Sequence, residues 1–413
     1  MSRILYVWEL GAGYGHIAAF HAVAQWLKRR GHQVIFVLKN LEYADSLLGK
    51  DGFDYLQAPI RWPGMQTMPP ASSYPGILKN AGFNDEAGLF GRTRAWLSLY
   101  RYLQPDLIVF DHAPTALLAA RMLSIPKVLF GNGFFSPPRL SPLPGLHPML
   151  KVPEKELIKT EAEVLQAANS VLQRLNCPTL GMLADLFSVD EDFLLTFPEL
   201  DHYPQRSNAC HWGPALYQSE GLEPRWPSVG DGKIFAYVRT DYANLETLLQ
   251  QLRTTACSVL IHIPGVTPAF IQKHNSANLH ISPHPYKISD ICQQCDLAIS
   301  HGGVSTLSSF LLSGKPVLVL PMQLEQWLSA MKVEALGFGK CIASETKKPN
   351  YRAAISELLS NFACKQAAGA LAEKYAGFSP ARQANDIGLR CEALIDSRRA
   401  GESSKVCGAT EAP

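Results

Sequence analysis

Apolar runs alternate with segments of helical periodicity along most of the chain. Residues 3–9 form the first run, a glycine loop covers 10–15, apolar positions then recur at helical spacing, and 32–38 form the second run. A second series of runs follows in the C-terminal half: 233–238, 258–263, 279–282, 297–299 and 317–320. Buried parallel strands joined by helices produce this alternation. We therefore predict an α/β protein with two Rossmann-like parallel-sheet domains.

The break between the two series is predicted at residues 221–232, with the sequence GLEPRWPSVGDG. This segment is polar, contains two prolines and three glycines and lacks periodicity, which is typical of a linker. The predicted domains are therefore 1–220 and 233–378. A last helix is expected over 379–399, and the small polar residues 400–413 are expected to be disordered.

The stretch Asp296–Gln326 predicts a strand, a tight turn and a helix in succession. Apolar residues 297–299 lead to His301, Gly302 and Gly303, after which apolar residues return at helical spacing. The two glycines permit a sharp bend and a close approach of the backbone to a ligand. We expect this turn to be the centre of a binding site.

The start of that helix has the composition of an anion site. Ser305 and Thr306 place hydroxyls in its first turn, where unpaired N–H groups and the helix dipole favour negative charge. Glu325 and Gln326 follow the next apolar run, at the carboxyl edge of the predicted sheet, where ligands bind in open α/β folds. A diphosphate at the helix and hydroxyls held by the acid and the amide indicate a nucleotide-sugar donor.

A second candidate centre lies in the N-terminal half, where Gly15 and His16 open the first predicted helix. A helix dipole at this position favours the neutral imidazole that a general base needs. The loop with Gly11, Gly13 and Gly15 lacks the third glycine of a dinucleotide fingerprint, because His16 stands there, so no nicotinamide or flavin is expected. The alternative is that His16 caps the helix or is merely an exposed residue.

Three features together resemble the donor signature of the UDP-glycosyltransferase superfamily of two-domain GT-B enzymes. They are the His-Gly-Gly turn followed by Val-Ser-Thr, a later Gly-x-Pro, and an acid-Gln pair after the next strand. The resemblance implies two Rossmann-like domains facing across a cleft, with the final helix returning to the N-terminal domain. The donor contacts that it implies are His301, Gly302, Gly303, Ser305, Thr306, Glu325 and Gln326.

The same family pairs a Gly-His motif at the first helix with an aspartate that ends a later strand. His16 and Asp111 match these positions, and Gly15 precedes the histidine in the motif. The resemblance therefore implies that a His16–Asp111 pair deprotonates an acceptor hydroxyl. For Asp111, capping of the helix near Pro114 is the alternative, and the adjacent His112 competes for the assignment.

Two further donor contacts are implied by the resemblance. Thr240 lies in the first strand-helix turn of the C-terminal half, beside Arg239, which is either a charge partner or a solvated loop residue. Tyr286 is the aromatic residue that would stack on the base. UDP-using members often carry glutamate for the ribose diol where Ser309 stands, so a dTDP-sugar is an alternative to a UDP-sugar.

Composition excludes several other classes. The 413 residues are 47% hydrophobic with a net charge of +2, so neither nucleic acid nor an anionic membrane is an expected partner. No spanning segment or secretory signal is expected, which predicts a cytoplasmic protein. Nine cysteines without disulfide spacing predict reduced thiols, and Cys292 and Cys295 are expected to be packed helix residues rather than metal ligands.

Two irregular stretches, 58–91 and 131–150, contain prolines and aromatic residues. We predict that they are surface loops that bind a small, apolar or aromatic acceptor. The predicted function is inverting, metal-independent hexosyl transfer, with the nucleotide sugar as co-substrate and no cofactor. The alternatives are a nucleotide-sugar epimerase or lipid-linked sugar transferase on the same scaffold, and a non-catalytic sugar-nucleotide-binding protein.

Overall fold

The computed structural model describes residues 1–62, 70–146, 152–216 and 221–407, with side chains up to residue 400. Its contacts divide the chain into two compact units. The first comprises Met1–Phe197, Tyr203–Ala215 and Ser379–Pro413, and the second comprises Pro198–His202 and Leu216–Phe378.

The first unit is built on a six-stranded parallel sheet. Its strands are β1 (Arg3–Trp8), β2 (Gln33–Leu38), β3 (Asp54–Gln57), β4 (Leu107–Asp111), β5 (Lys127–Gly131) and β6 (Glu191–Leu194). Their order is β3-β2-β1-β4-β5-β6, the Rossmann arrangement, whose strand order reverses between β1 and β4. At that point the register places Trp8 beside Asp111.

Helices follow the strands of this sheet along the chain. They are α1 (Gly15–Ala18), α2 (His21–Arg29), α3 (Ala44–Leu48), α4 (Tyr74–Leu78), α5 (Glu86–Leu103), α6 (Pro114–Ala120) and α7 (Glu154–Arg174). The long C-terminal helix, Pro380–Cys407, also belongs to this unit. It lies so close to α2 that a Cβ at Gly388 would be 2.2 Å from the Trp26 ring.

The second unit repeats the same design. Its strands are β7 (Lys233–Tyr237), β8 (Ser258–His262), β9 (Leu279–Ser282), β10 (Leu297–Ser300), β11 (Val317–Val319) and β12 (Gly339–Cys341). They pair in parallel in the order β12-β11-β10-β7-β8-β9. The two sheets therefore share one topology, and the predicted fold class is confirmed.

The helices of the second unit cover both faces of its sheet. They are α8 (Leu245–Arg253), α9 (Pro268–His274), α10 (Ile288–Gln294), α11 (Val304–Leu311), α12 (Leu324–Ala335), α13 (Tyr351–Ser360) and α14 (Phe362–Lys374); the C-terminal helix is then α15. Two buried apolar clusters, one on each face, form the core. Asn361 separates α13 from α14, and its side chain caps α14 by accepting from the Cys364 N–H.

The stretch 58–91 differs from the predicted surface loop. It contains α4 and the start of α5, and Tyr74, Leu78 and Phe83 are buried in the core. A π-helical turn over Lys79–Phe83, with Gly82 at φ +94°, joins the two helices and interrupts a regular helical period. Residues 63–69 lie outside the described part. In the stretch 131–150, Phe134 and Phe135 are likewise buried, and 147–150 are not described.

The predicted linker belongs to the second unit. Leu222 exchanges backbone hydrogen bonds with Pro285 and Lys287, at 2.9 Å each, and a Cβ at Gly221 would lie 2.3 Å from the Tyr286 carbonyl carbon. Segment 221–232 is thus anchored by packing rather than free. The helix α15 continues to Cys407, beyond the predicted helix end at 399, and disorder of the tail stays a prediction. Residues 408–413 are not described. Within the described chain, no helix has the length and apolar character needed to cross a membrane.

Candidate active site

The first unit brings His16 and Asp111 together at the carboxyl edge of its sheet. Nδ1 of His16 lies 2.8 Å from Oδ2 of Asp111. The His16 side chain is 20% exposed and the Asp111 side chain only 5%. A buried carboxylate therefore orients an imidazole that solvent can still reach, which is the geometry of an oriented base.

Two residues of β1 fix this pair, and sequence reasoning missed both. The Tyr6 hydroxyl donates to Oδ2 of Asp111 at 2.7 Å and also contacts the carbonyl oxygen of His16. Burial, followed by the Asp111 charge, raises the Tyr6 pKa well above its usual value, so the hydroxyl remains a donor. The Trp8 ring stacks on the His16 ring at 4.9 Å. The Tyr6 hydroxyl within an otherwise apolar strand is the sequence feature that could have indicated this contact.

The glycine loop before His16 has a steric role. Gly11 has φ +86°, and a Cβ there would lie 2.4 Å from Nε2 of His16. Gly13 has φ +104° and open space around its Cβ direction. Gly15 is exposed and also faces open space. Gly11 is therefore the position at which the loop and the imidazole pack closely.

His112 follows Asp111 but does not share its role. It is buried, has φ +43°, and stacks on Phe135 with the rings 4.8 Å apart. Burial, followed by the charges of His16 and Lys39, lowers its pKa well below the usual value. His112 is thus a neutral group held within aromatic surroundings.

In the second unit, β10, the His-Gly-Gly turn and α11 form the predicted strand, turn and helix. Within the described part of the chain, no side chain caps α11. The N–H groups of Val304, Ser305 and Thr306, and the hydroxyls of Ser305 and Thr306, have no hydrogen-bond partner within the described ranges. An eight-residue helix with an open donor cluster at its start suits an anion.

The two glycines of the turn have different functions. Gly302 has φ +87°, and a Cβ there would lie 2.7 Å from Cγ1 of Val319. Gly303 is exposed, has an ordinary φ and meets nothing within 4 Å. Gly302 therefore makes the bend, and Gly303 leaves open space over the start of α11.

His301 is engaged on both sides of its ring. Nδ1 lies 2.7 Å from the Leu320 carbonyl oxygen, and Nε2 accepts from the Arg239 N–H at 2.9 Å. The residue is buried, and burial lowers its pKa. In this structure His301 joins the ends of β10 and β11 to the turn after β7. Its direct contact with a diphosphate stays a prediction.

That bond places Thr240 beside the His-Gly-Gly turn. Thr240 is exposed and follows Arg239, whose N–H is held by His301. The Arg239 guanidinium forms two hydrogen bonds to the Asp241 carboxylate, at 2.9 and 2.8 Å, and lowers the Asp241 pKa. The Arg239 guanidinium is thus paired with Asp241, and its role toward the donor stays a prediction.

Glu325 and Gln326 lie in the first turn of α12, and both are half-buried. Oε1 of Gln326 accepts from the Met322 N–H at 2.9 Å, so this oxygen holds the strand-helix turn. A Cβ built on Gly302 would lie 3.2 Å from the Gln326 carbonyl oxygen. The acid-Gln pair is therefore adjacent to the His-Gly-Gly turn.

In this structure Tyr286 and Ser309 make contacts within the second unit's own core and helix. The Tyr286 ring packs edge-on against Phe235 at 6.1 Å, in the core. The Ser309 hydroxyl donates to the Ser305 carbonyl oxygen at 2.9 Å, and α11 contains no carboxylate. Base stacking by Tyr286 remains a prediction, and the helix has no side chain that resembles the ribose-binding glutamate.

Cys292 and Cys295 are buried free thiols at the end of α10. Burial raises their pKa values to about 11 and about 12, so both are protonated at neutral pH. Among the described residues, no group of three or more His, Cys, Asp or Glu side chains has metal-binding geometry.

Two Rossmann-order sheets in one chain are the architecture of the GT-B fold, and comparison with known structures agrees. The glycosyltransferase VinC, solved in complex with dTDP, superposes with a TM-score of 0.69 at 13% identity, covering 96% of this chain and 100% of VinC. The shared feature is the fold.

Sequence comparison adds the activity class. Residues 244–378 match the glycosyltransferase family 28 C-terminal domain. The PGL/p-HBAD biosynthesis rhamnosyltransferase of Mycobacterium bovis is 26% identical over 392 residues, covering 90% of this chain and 84% of the relative. The zeaxanthin glucosyltransferase of Pseudescherichia vulneris is 24% identical over 420 residues, covering 95% and 97%. These similarities support a glycosyltransferase.

Proposed function

We propose that this protein is an inverting glycosyltransferase that moves a hexose from a UDP- or dTDP-sugar to a hydroxyl of a small, apolar or aromatic acceptor. The observation that carries the donor side is the uncapped start of α11, with three N–H groups and two hydroxyls that have no partner among the described residues. The relatives named for rhamnosyl and zeaxanthin glucosyl transfer support the reaction class. The resemblance to UDP-glycosyltransferases leaves two candidate donors, a UDP-sugar and a dTDP-sugar.

In the proposed mechanism, Nδ1–H of His16 donates to the Asp111 carboxylate, so Nε2 presents its lone pair as the base. The acceptor oxygen attacks the anomeric carbon while its proton passes to Nε2. The bond from that carbon to the diphosphate oxygen breaks on the opposite face, which inverts the configuration. Asp111 stabilises the imidazolium that forms.

The leaving group is the nucleoside diphosphate, and its charge grows as the bond breaks. Unpaired N–H groups at the start of α11 are fixed in position to receive this charge. Because these dipoles provide the stabilisation, we expect activity without added divalent metal.

The composition of α11 favours one of the two candidate donor nucleotides. Ser309 bonds to its own helix backbone, and no acid is present in α11 to bind a ribose diol. The dTDP bound in the solved VinC complex agrees with a deoxyribose donor. We therefore expect turnover with dTDP-sugars at least equal to that with UDP-sugars. The cytoplasmic location and the absence of a cofactor stay predictions.

The test is transfer by the purified protein from UDP-glucose, dTDP-glucose and dTDP-rhamnose to a panel of naphthols and other aromatic alcohols. Product coupling constants from NMR report the anomeric configuration, and parallel reactions contain EDTA. We expect an inverted glycoside and undiminished activity with EDTA. Retention of configuration or loss of activity with chelator contradicts the mechanism. Epimerised donor without transfer supports the epimerase, a requirement for membranes supports the lipid-linked enzyme, and donor binding without turnover supports the non-catalytic alternative.

A further inference from the structure

His112 has a buried polar atom that the proposed mechanism does not use. The residue is 7% exposed, and its Nε2 has no hydrogen-bond partner in the described structure. Its φ of +43° is uncommon outside glycine. Buried polar atoms are nearly always paired, so an unpaired one at a sheet edge calls for a partner.

The ring is held in one orientation by stacking. The His112 and Phe135 rings are 4.8 Å apart and nearly parallel, at 9°. Phe135 reaches this position because residue 131 is glycine: a Cβ there would lie 1.9 Å from Cζ of Phe135. Tyr74 and Phe134 lie near the same imidazole, with ring centroids 5.9 and 6.3 Å from it.

The loop that carries Phe134 and Phe135 is itself anchored. The Tyr203 hydroxyl donates to the Phe134 carbonyl oxygen at 3.0 Å. The Arg206 guanidinium donates to the carbonyl oxygens of Ser136 and Gly133, at 2.8 and 3.0 Å. The imidazole is therefore held in one orientation, but its Nε2 is closed to solvent, so an acceptor that bonds to it must first displace the atoms that cover it.

His112 is next in the chain to the His16–Asp111 pair that would deprotonate the acceptor. It follows Asp111 directly in the chain, and the Asp111 carboxylate lies 2.8 Å from Nδ1 of His16. A neutral imidazole has one N–H donor and one acceptor nitrogen, so the tautomer can follow the ligand atom.

We propose that His112 determines acceptor specificity, because its Nε2 hydrogen-bonds a second polar atom of the acceptor, a few bonds from the hydroxyl that His16 deprotonates. The inference rests on the proposed function and narrows its acceptor class. The aromatic surroundings select a flat apolar frame, and His112 selects two neighbouring polar atoms on it. An aromatic 1,2-diol meets both requirements.

The test compares 2,3-dihydroxynaphthalene with 2-naphthol, which lacks the second hydroxyl. Wild-type protein should favour the diol about tenfold in kcat/KM, the effect of one hydrogen bond to a buried group. His112→Phe keeps an aromatic ring for the stack but removes the hydrogen bond. It should abolish the preference through acceptor KM, leaving 2-naphthol turnover and donor KM unchanged. His112→Asn, which tolerates a positive φ, should restore part of the preference.

Several results overturn the inference. The first is a diol preference that survives in His112→Phe. The second is an equal loss of kcat/KM with both acceptors, which would indicate a purely structural role for His112. If circular dichroism shows His112→Phe unfolded, the folded His112→Asn must show a reduced preference without a change for 2-naphthol. Transfer by wild type to both acceptors without preference overturns only this inference. Failure of wild type to transfer to either acceptor, or to bind either by calorimetry, overturns the acceptor side of the proposed function as well.

Discussion

His16 in the first unit and His301 in the second lie at the carboxyl edges of sheets with the same strand order, yet their environments are opposite. The His16 side chain is 20% exposed and bonds a buried carboxylate. His301 is 3% exposed, and both of its nitrogens bond backbone groups. Among the residues that the structure describes, no carboxylate bonds the His301 ring.

The difference shows how one side chain type serves two purposes. A base must accept a proton, so it needs access to the substrate and a neighbouring negative charge that stabilises the imidazolium. His301 is buried, and protonation would break its bond from the Arg239 N–H. Burial lowers its pKa and has a larger effect than the nearby Asp241 charge, which raises it. Its environment instead keeps the ring neutral and makes it a link between two strand ends and a turn. We therefore expect His16 to determine turnover and His301 to determine donor binding.

The largest effect is expected for His16→Ala. Loss of the general base should lower kcat by about 10³-fold, while the dissociation constant for the nucleotide sugar should change by less than about threefold, because the base acts only in the transition state. Steady-state kinetics and calorimetry with the donor measure both quantities. An unchanged kcat would remove His16 from the mechanism and erase the contrast with His301.

Gly11→Ala tests the placement of the base without removing it. The new methyl would meet Nε2 of His16 at 2.4 Å, and a shift of the ring by about 1 Å costs roughly 10²-fold in rate. Gly13→Ala is the matched control, because it carries the same kind of positive φ but meets nothing within 4 Å. We expect kcat to fall only in Gly11→Ala, with donor KM unchanged in both. Equal losses would assign the effect to backbone strain.

Much of the fold could be predicted from the sequence, because buried parallel strands appear as apolar runs and their bounds follow closely. Leu279–Ser282 is a strand in both the prediction and the structure. The stretch 58–91 could not be predicted, because the π-helical turn at Lys79–Phe83 interrupts the period that marks a helix. The packing of segment 221–232 could not be predicted for a related reason: polar composition does not reveal that Leu222 bonds to the backbone near Tyr286.

The candidate site divides in the same way. The sequence indicated His16 and Asp111 as partners, and the structure brings them to 2.8 Å. It did not indicate Tyr6, whose hydroxyl reaches Asp111 across 105 positions, or the contact of Gly11 with His16. Nor did it indicate that His301 is fully engaged by backbone groups. These contacts depend on tertiary packing, which leaves no periodic signal.

His301→Ala should produce a smaller effect of the opposite kind. It leaves the Arg239 N–H and the Leu320 carbonyl oxygen without their partner, at a cost of about 1–3 kcal/mol in the free energy of unfolding. Because the turn before Thr240 loosens, donor KM should rise about tenfold, with kcat at saturating donor nearly unchanged. Denaturant unfolding and donor titration measure the two effects. A large fall in kcat with an unchanged donor KM would contradict the positioning role.

The smallest effect concerns pH, and His301→Gln isolates it. Glutamine offers an N–H donor and an oxygen acceptor in place of the two ring nitrogens, but it does not titrate. Burial lowers the pKa of His301 in the folded protein, so the unfolded chain binds the proton first as pH falls. The stabilisation from neutral His301 is therefore complete above about pH 6.5 and is lost as pH falls through the folded pKa. Relative to His301→Gln, wild type should lose stability below that pH by at most about 1.4 kcal/mol per pH unit. The buried His112, which also titrates low, is present in both proteins and cancels in the difference. Parallel unfolding curves from pH 8 to 5 would show instead that His301 is protonated as readily in the folded protein as in the unfolded chain, and that its environment resembles that of His16 more than the geometry indicates.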